Sequence, residues 1–173
     1  MKLVRPSAQY KASFTEAARE IEAEGLGGFL KASYDENDFQ KYCDTVNNLA
    51  HGIGLAAGNV SETIFWMVDD SDNFIGNVSI RHSLTDHLFI FGGHIGYIIA
   101  PRSRGRGYGT LILMLSLPEA SALGLDKVLV TCDNTNTASA RIIEKNGGIF
   151  ENEMYSETRK VWKRRYWIDL RQR

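Results

Sequence analysis

The segment from Arg104 to Gly109 has the residue types of a phosphate-binding loop. It alternates arginine with glycine, and it lies between an apolar strand and an apolar helix. Glycines allow a tight turn and a close approach of the backbone, so that successive N–H groups can converge on phosphate oxygens. The helix N-terminus adds free N–H groups and the positive end of its dipole, worth about 0.3–1 kcal/mol for an anion. The loop therefore predicts a site for a phosphorylated ligand, with Arg102, Arg104 and Arg106 adding mobile positive charge.

The alternative for this loop is a glycine-rich surface turn with solvated arginines, and the glycines alone do not decide between the two. Their spacing is neither the G-x-G-x-x-G of a dinucleotide site nor the G-K-[ST] of a P-loop, and no acidic ribose-binding residue ends a following parallel strand. A dinucleotide-binding protein and an NTPase are therefore not favoured.

Three titratable side chains could line one cleft and act on a bound ligand. His94 opens an apolar strand, whereas Arg81 and His82 end an earlier one, so all three could face one cleft. The pKa of histidine suits a base near neutral pH, which makes His94 a candidate catalytic residue and Arg81 and His82 candidate substrate-binding residues. A hydrogen-bonded structural role is the alternative for each histidine. Glu62 and Asp86 could bind a cationic amine or simply be solvated.

No metal site is expected. The four histidines do not form a recognised ligand spacing with cysteine or carboxylate. Cys43 and Cys132 each lie in an apolar pattern, which favours buried thiols. Cys132 is therefore expected to be a buried strand residue.

Alternating strand and helix patterns must position these residues. Runs of β-branched and aromatic residues predict strands at Lys2–Arg5, Glu62–Val68, Phe74–Arg81, His94–Ala100, Lys127–Cys132, Ile149–Tyr155 and Val161–Leu170. Apolar residues at three-and-four spacing predict helices from Ser7 to Gly25, Asp38 to Ala50, Thr110 to Leu123 and Thr137 to Lys145. The segment from Leu84 to Phe91 is less regular, and Pro118 is expected to kink the third helix.

Size and charge indicate one domain with a small-molecule partner. A chain of 173 residues with 43% hydrophobic content can bury a sizeable core, so residues 1–173 are expected to form a single domain. The 20 basic and 21 acidic side chains give a formal charge of −1, so no strong field attracts nucleic acid or an acidic membrane. The run from Arg159 to Arg165 is basic, but its continuation into alternating aromatic residues favours a half-exposed strand.

The chain is expected to be a soluble cytoplasmic protein. Two cysteines are too few for a disulfide framework, which favours a reducing compartment. The N-terminus lacks the apolar run of a signal peptide, and no stretch approaches the roughly 20 apolar residues of a membrane span.

The loop and its surroundings resemble the GNAT superfamily of acetyltransferases. Arg104, Gly107 and Gly109 match its signature of Arg or Gln, two residues, Gly, one residue, and Gly or Ala. The likeness covers roughly 60 residues, from His94 to Glu151. An apolar triplet with a proline precedes the loop, and an Asn-x-x-Ser helix entry with a glycine stop follows it: Tyr97-Ile98-Ile99, Pro101, Asn136, Ser139 and Gly147.

The resemblance implies an acetyl-CoA-dependent N-acetyltransferase with a mixed α/β (α+β) fold. In that fold, helices flank a central mixed, mostly antiparallel sheet, and the two parallel central strands of the sheet splay apart. Cofactor-binding residues carried over from the family are Tyr97, Ile98 and Ile99 for the pantetheine arm, Arg104, Gly105, Arg106, Gly107, Tyr108, Gly109 and Thr110 for the pyrophosphate, and Asn134, Asn136 and Ser139 across the cleft. An N–H of the apolar triplet would also polarise the thioester carbonyl. Asn136 and Ser139 could instead merely cap the helix that begins beside them.

The chemistry implied by the resemblance is direct transfer in a ternary complex, without a protein nucleophile. Many relatives place a tyrosine acid seven residues beyond the asparagine that Asn136 matches, but this chain has Ile143 there. Tyr97 and His94 remain as candidate catalytic residues, together with Tyr155 and Tyr166.

The acceptor is expected to be the amine of a small molecule or peptide. Within the same class a protein N-terminus is the alternative, and the missing tyrosine leaves open a non-catalytic acetyl-CoA-binding module. No nucleic acid or membrane partner is expected, and the chain is interpreted as a monomer or homodimer.

Overall fold

A computed structural model describes residues 1–157 and 160–171, so Arg159 of the basic run lies outside the described residues. The strands are β1 (Lys2–Val4), β2 (Glu62–Val68), β3 (Phe74–Arg81), β4 (Ile95–Ile99), β5 (Lys127–Asp133), β6 (Ile149–Ser156) and β7 (Val161–Asp169). The α-helices are α1 (Lys11–Ala23), α2 (Phe39–Asn48), α3 (Tyr108–Ala122) and α4 (Thr137–Lys145).

The strands form one sheet whose two central strands separate. Its order is β1-β2-β3-β4-β5-β7-β6, and each neighbouring pair is antiparallel except β4 and β5. The parallel pair shares a single position, Ile95 opposite Val130. The predicted mixed, mostly antiparallel sheet with splayed parallel strands is therefore confirmed.

The two faces of the sheet bury different helices. Val128 and Val130 of β5 belong to a core that includes Ile112 and Leu113 of α3. Ile98 of β4 belongs instead to a second core that includes α1 and α2. Because successive strand side chains alternate between faces, this division shows which residues of the central strands face α3 and α4 and which face α1 and α2.

Local chemistry sets the helix boundaries. A 3-10 turn, Ala8–Tyr10, precedes α1, so the first helix begins later than the pattern predicts. The third helix begins earlier, at Tyr108, because Gly107 has a φ of 80° and takes the cap position. Pro118 does not end α3, which continues to Ala122. No helix in the described part of the chain is long and apolar enough to span a membrane.

Candidate active site

The predicted phosphate loop leaves open space in front of its glycines. Gly105 and Gly107 have φ values of 77° and 80°, and a Cβ built on either residue would meet nothing within 4 Å. The carbonyl of Gly107 accepts hydrogen bonds from the N–H groups of Thr110 and Leu111, at 3.1 and 3.2 Å. The N–H groups of Tyr108 and Gly109 therefore precede the first bonds of α3 and are oriented for an anion at the helix N-terminus.

The arginines of the loop differ in their roles. Arg104 binds Glu24, the C-cap of α1, through two hydrogen bonds, at 2.9 and 2.6 Å, and its Nε donates to the carbonyl of Ile99 at 3.1 Å. Arg102 pairs with two other glutamates of α1. These two arginines anchor the loop to α1 and are not the mobile charges that we predicted. The side chain of Arg106 is exposed and forms no ion pair with the described residues.

Gly109 and Thr110 fix the loop against α4. A Cβ on Gly109 would lie 2.6 Å from Cδ1 of Ile142, so glycine lets the two helices approach closely without displacing the end of that side chain. The carbonyl of Thr110 accepts a hydrogen bond from Nδ2 of Asn146 at 3.1 Å. Both residues thus position the N-terminus of α3.

The backbone of β4 turns alternate residues towards the gap beside β5. The N–H of Arg81 donates to the carbonyl of His94 at 2.8 Å, and the N–H of Ala100 donates to the carbonyl of Ile75 at 3.0 Å. In this antiparallel register Ile98 also bonds to β3, whereas the polar groups of Tyr97 and Ile99 point towards β5. The resemblance implied that three residues line the cleft with backbone groups, but the backbone N–H and C=O of Ile98 bond to β3 instead.

The side chain of Tyr97 reaches the helix on the far side of the gap. Its hydroxyl lies 2.9 Å from Oγ of Ser139 in α4. Burial raises the pKa of Tyr97 to about 12, so its phenol stays protonated at neutral pH. Ser139 lies one turn before Ile143, which is fully buried in the core. A tyrosine of the strand therefore reaches the helix face where the family places its tyrosine.

The start of α4 is held by its own asparagine. Oδ1 of Asn136 accepts a hydrogen bond from the N–H of Ser139 at 2.9 Å, which is an N-cap. The N–H of Asn134 donates to the carbonyl of Trp162 at 2.8 Å. Asn134 is thus bonded to β7, and the capping alternative for Asn136 is the contact that the structure contains.

His94 is a buried structural residue. It is 8% exposed, and its Nδ1 accepts a hydrogen bond from the N–H of Leu129 at 2.9 Å. Burial, and then the charge of Arg81, lowers the pKa of His94 to about 4. With Nδ1 occupied, the neutral ring carries its proton on Nε2 and has no free nitrogen to accept another. This geometry opposes the predicted role of His94 as a base.

The structure separates the two predicted acceptor residues. Arg81 faces α1 and α2 and donates to the carbonyls of Gly92 and Gly93, at 3.3 and 2.8 Å. His82 follows it on the other face, where Nε2 lies 2.8 Å from Oγ1 of Thr63. The expectation that Arg81, His82 and His94 share one cleft therefore fails for His82.

A buried ion pair lies beside Arg81. Lys31 pairs with Glu62 at 2.7 Å, and each side chain is only 14% exposed. Burial lowers the pKa of Lys31, whereas the charge of Glu62 opposes that shift. The carboxylate of Glu62 is therefore paired within the protein, and this contact differs from both alternatives that the sequence left open, an amine ligand and a solvated carboxylate.

Cysteine and metal chemistry have little support in the described residues. Burial raises the pKa of the Cys132 thiol to about 11, so the thiol is protonated and a poor nucleophile. No group of three or more His, Cys, Asp or Glu side chains in residues 1–157 and 160–171 could hold a metal ion.

Three features of this region had no signal in the sequence. They are the Tyr97–Ser139 hydrogen bond, the Lys31–Glu62 pair and the burial of Arg165, which is 4% exposed. Each depends on strand register or on the path of a loop, and residue type alone encodes neither.

Comparisons with known proteins agree with this geometry. The profile of the acetyltransferase (GNAT) domain matches residues 4–149. No curated protein matches the chain significantly in sequence.

Several solved structures share the fold. A spermidine N-acetyltransferase from Vibrio cholerae in complex with CoA and spermine has a TM-score of 0.66 and 17% identity, covering 98% of this chain and 95% of its own. An acetyltransferase from Salmonella typhimurium that modifies the N-terminal serine of ribosomal protein L7/L12 has a TM-score of 0.64 and 14% identity, covering 96% and 93%. A GNAT-family acetyltransferase from Bacillus anthracis has a TM-score of 0.63 and 15% identity, covering 97% and 93%.

The domain match covers most of the chain, and the sheet has the order and the separated parallel strands that the resemblance implies. The chain therefore belongs to the GNAT acetyltransferase family and is an acetyl-CoA-dependent N-acetyltransferase.

Proposed function

We propose that the chain acetylates the amine of a small molecule or peptide by direct transfer from acetyl-CoA in a ternary complex, with residues 1–173 acting as one domain. The observation that carries this proposal is the position of the phosphate loop at the end of β4 where that strand leaves β5. One extended ligand can thus place its pyrophosphate on the loop and its amide-containing arm between the strands.

The donor site uses mostly backbone groups. The N–H groups from Gly105 to Gly109 bind the pyrophosphate, and exposed Arg106 adds its charge. The backbone of Tyr97 pairs with the pantetheine arm, since its polar groups point into the gap. Asn134, Asn136 and Ser139 flank the arm from the side of α4.

In the transfer step the neutral amine nitrogen attacks the thioester carbonyl and the carbon–sulfur bond breaks. The nitrogen releases a proton to solvent water, and the departing thiolate takes up a proton. The N–H of Tyr97 stabilises the charge that develops on the carbonyl oxygen. The hydroxyl of Tyr97 donates the proton to the departing sulfur and recovers one through Ser139. His94 has a structural role in this scheme, and Cys132 has none in the chemistry.

The donor site can be tested with Gly107→Val. A branched side chain would fill the space in front of the loop, so we expect acetyl-CoA affinity to fall by several kcal/mol, measured by calorimetry, with the fold retained. Gly124→Val is a matched control, because Gly124 also has a left-handed φ of 85° and open space around its Cβ, beyond the other end of α3. Equal loss of affinity in both variants, or none in Gly107→Val, would contradict the proposed cradle.

Activity on amines separates this function from its alternatives. Thiol release should occur with acetyl-CoA and at least one small amine or short peptide. Tight acetyl-CoA binding without turnover of any amine would favour a non-catalytic module. Turnover only with a protein N-terminus would favour the activity named for the Salmonella typhimurium structure.

We further propose a cytoplasmic location, a monomeric or homodimeric state, and no nucleic acid or membrane partner. The free and buried thiols of Cys43 and Cys132 support the location. The balanced charge of the chain supports the absence of polyanionic partners. Sedimentation velocity with and without acetyl-CoA would determine the oligomeric state.

A further inference from the structure

Arg165 of β7 presents one edge of its guanidinium without a partner. Its side chain is almost fully buried, and Nη1 binds Glu151 at 2.8 Å and Asn152 at 3.1 Å. Nε and Nη2 are also buried, but neither has a hydrogen-bond partner among the described residues. A buried donor without a partner lowers the stability of a folded protein, and a charged donor lowers it most. This edge of Arg165 is therefore a candidate binding site for a ligand that accepts hydrogen bonds.

The geometry of the unpaired edge selects the ligand chemistry. Nε–H and one N–H of Nη2 point in the same direction from one edge of the planar guanidinium, on the side away from Cδ. This arrangement matches the two oxygens of a carboxylate, which accepts two parallel hydrogen bonds from arginine. An ammonium group cannot bind there, because it is itself a cation and donor.

Arg165 stands beside the point where the central strands separate. It is opposite Thr131 of β5 in the sheet register, and Thr131 follows Val130, the residue paired with β4. The neighbouring Tyr166 belongs to the core of α3 and α4, so Arg165 points to the other face. The proposed donor groups of α3 and α4 lie across the sheet, which leaves the face of Arg165 for the acceptor.

An exposed aromatic ring covers the guanidinium. The ring of Phe89, which is 46% exposed, lies with its centroid 4.9 Å from Cζ of Arg165. Phe89 belongs to the turn Leu88–Gly92, whose end is fixed by Arg81 and by Thr131, since Oγ1 of Thr131 donates to the carbonyl of Phe91 at 2.9 Å. The guanidinium of Arg165 therefore lies directly beneath a surface side chain, and we infer that a ligand approaches its free edge past this ring.

The charges around this face favour an anion. Arg81 donates to two backbone carbonyls, Lys31 pairs with Glu62, and Lys163 pairs with Asp133. Two cations of this face are not fully matched by a carboxylate, since Arg81 binds backbone carbonyls and one edge of Arg165 has no partner among the described residues. A polyamine would bring further positive charge next to Arg81 and Arg165, and that repulsion disfavours it.

We propose that the acceptor amine also carries a carboxylate, which binds the Nε and Nη2 edge of Arg165. The acceptor class is thus an amino acid or a short peptide with a free carboxylate, rather than a polyamine such as the spermine bound in the Vibrio cholerae structure. This inference rests on the proposed function, because it assigns a substrate class to the same site.

The test compares amines that differ only in the carboxylate. Thiol release from acetyl-CoA is measured for the common amino acids, for their carboxamides, for dipeptides with a free or amidated C-terminus, and for spermidine. Several pH values are used so that the fraction of neutral amine can be matched. We expect the best acid to exceed its own amide by about 30-fold or more in kcat/KM, which is the low end for loss of one partner of a buried charge pair. Comparison of the amino acids with the dipeptides shows whether the carboxylate belongs to a free amino acid or to the C-terminus of a peptide.

Variants of Arg165 locate the effect. Arg165→Lys keeps the charge but loses the two parallel donors of the guanidinium, and Arg165→Gln loses both the charge and these donors. Each variant should therefore reduce the ratio of kcat/KM for the acid to kcat/KM for its amide, mainly through KM for the acid. Arg164→Gln is the control, because Arg164 lies next in the strand on the opposite face and pairs with Glu153. Unchanged acetyl-CoA affinity shows that a variant is folded.

The outcomes separate this inference from the function beneath it. Equal rates on acids and amides, or a preference for spermidine, would overturn the carboxylate site and leave the acetyltransferase proposal standing. An acid preference that survives in both Arg165 variants would overturn the role of this residue. Absence of thiol release with every amine would overturn the proposed function itself.

Discussion

The hydroxyl of Tyr97 is the residue-scale feature from which we expect the largest kinetic effect. It lies 2.9 Å from Oγ of Ser139, at the gap where the thiolate would leave. Tyr97→Phe keeps the ring and the backbone but removes the proton donor, so kcat should fall by about 10²-fold, in the range of general acid catalysis. Stopped-flow or steady-state thiol release would measure this change.

Ser139→Ala provides the comparison for Tyr97→Phe. It removes the partner of the phenol but leaves the donor, so its loss in kcat should be smaller. Acetyl-CoA affinity should change little in either variant. A Tyr97→Phe enzyme with the original kcat would show that the hydroxyl only packs against α4.

His94 should make the stability of the protein depend on pH. Its pKa is about 4 in the folded chain and 6.5 in an unfolded one, so between these values the unfolded chain binds a proton that the folded chain does not. The free energy of unfolding should therefore fall as pH drops from about 6.5 to about 4, by up to roughly 3 kcal/mol for this group. Urea denaturation across this pH range would measure the slope.

His94→Asn isolates the contribution of the histidine. Asparagine can still accept the hydrogen bond from the N–H of Leu129, but it does not titrate. The variant should be less stable at neutral pH because it loses ring packing, yet its stability should fall less steeply with acid. Equal slopes in the two proteins would mean that His94 is charged in the fold.

Residue types indicated the donor site better than they indicated the contacts within it. Glycines with open space before a helix were readable from sequence, because glycine and the helix boundary are local properties. The pairing of Arg104 with Glu24 was not, since it joins residues of two elements that meet only in the folded protein. The burial of Arg165 could not be predicted either, because its neighbours belong to β6 and to the turn at Phe89, which meet β7 only in the folded protein.

At the scale of elements, the start of α4 tests whether Asn136 acts as a cap or binds the cofactor. Its Oδ1 already accepts the N–H of Ser139. Asn136→Ala should lower the free energy of unfolding by about 1 kcal/mol, as loss of an N-cap usually does, while acetyl-CoA affinity changes only slightly. Thermal unfolding and calorimetry on the same variant would separate the two effects.

Asn136→Ser is the matched control for the cap. A serine hydroxyl can accept the same hydrogen bond, so this variant should keep nearly the original stability. A large loss of acetyl-CoA affinity in both variants, with stability unchanged, would instead support the direct contact implied by the family resemblance.

The sequence predicted the type and order of the strands and helices, because each has a clear apolar period. The observed helix boundaries differ from the predicted ones where a capping residue determines them. Helix α3, for example, begins at Tyr108 because Gly107, with its left-handed backbone, is the N-cap. The irregular segment from Leu84 to Phe91 proved to contain the wide turn Leu88–Gly92, for which no periodic signal exists. Lys31 has a φ of 73°, an uncommon backbone conformation for lysine that no residue pattern indicates.

At the scale of the whole molecule, the sheet consists of two parts that meet at one paired position. Strands β1 to β4 form one part and β5 to β7 the other, with Ile95 opposite Val130 as their only strand pairing in the described residues. Gly93 makes this meeting possible, because its φ is 69° and a Cβ there would lie 2.5 Å from the carbonyl oxygen of Leu129. A ligand between the parts should thus act on the stability of both.

Hydrogen exchange should show acetyl-CoA joining the two parts. Acetyl-CoA should protect the amides from Gly105 to Gly109 and also that of Tyr97, whereas ADP, which has the pyrophosphate but no pantetheine arm, should protect only the loop. A concentration of acetyl-CoA at 100 times its Kd should also stabilise the fold by about 2.7 kcal/mol, which thermal unfolding would register. If both ligands protect only the loop, the arm does not lie between β4 and β5. If neither protects the loop, the glycine segment is a surface turn, and the donor must bind elsewhere.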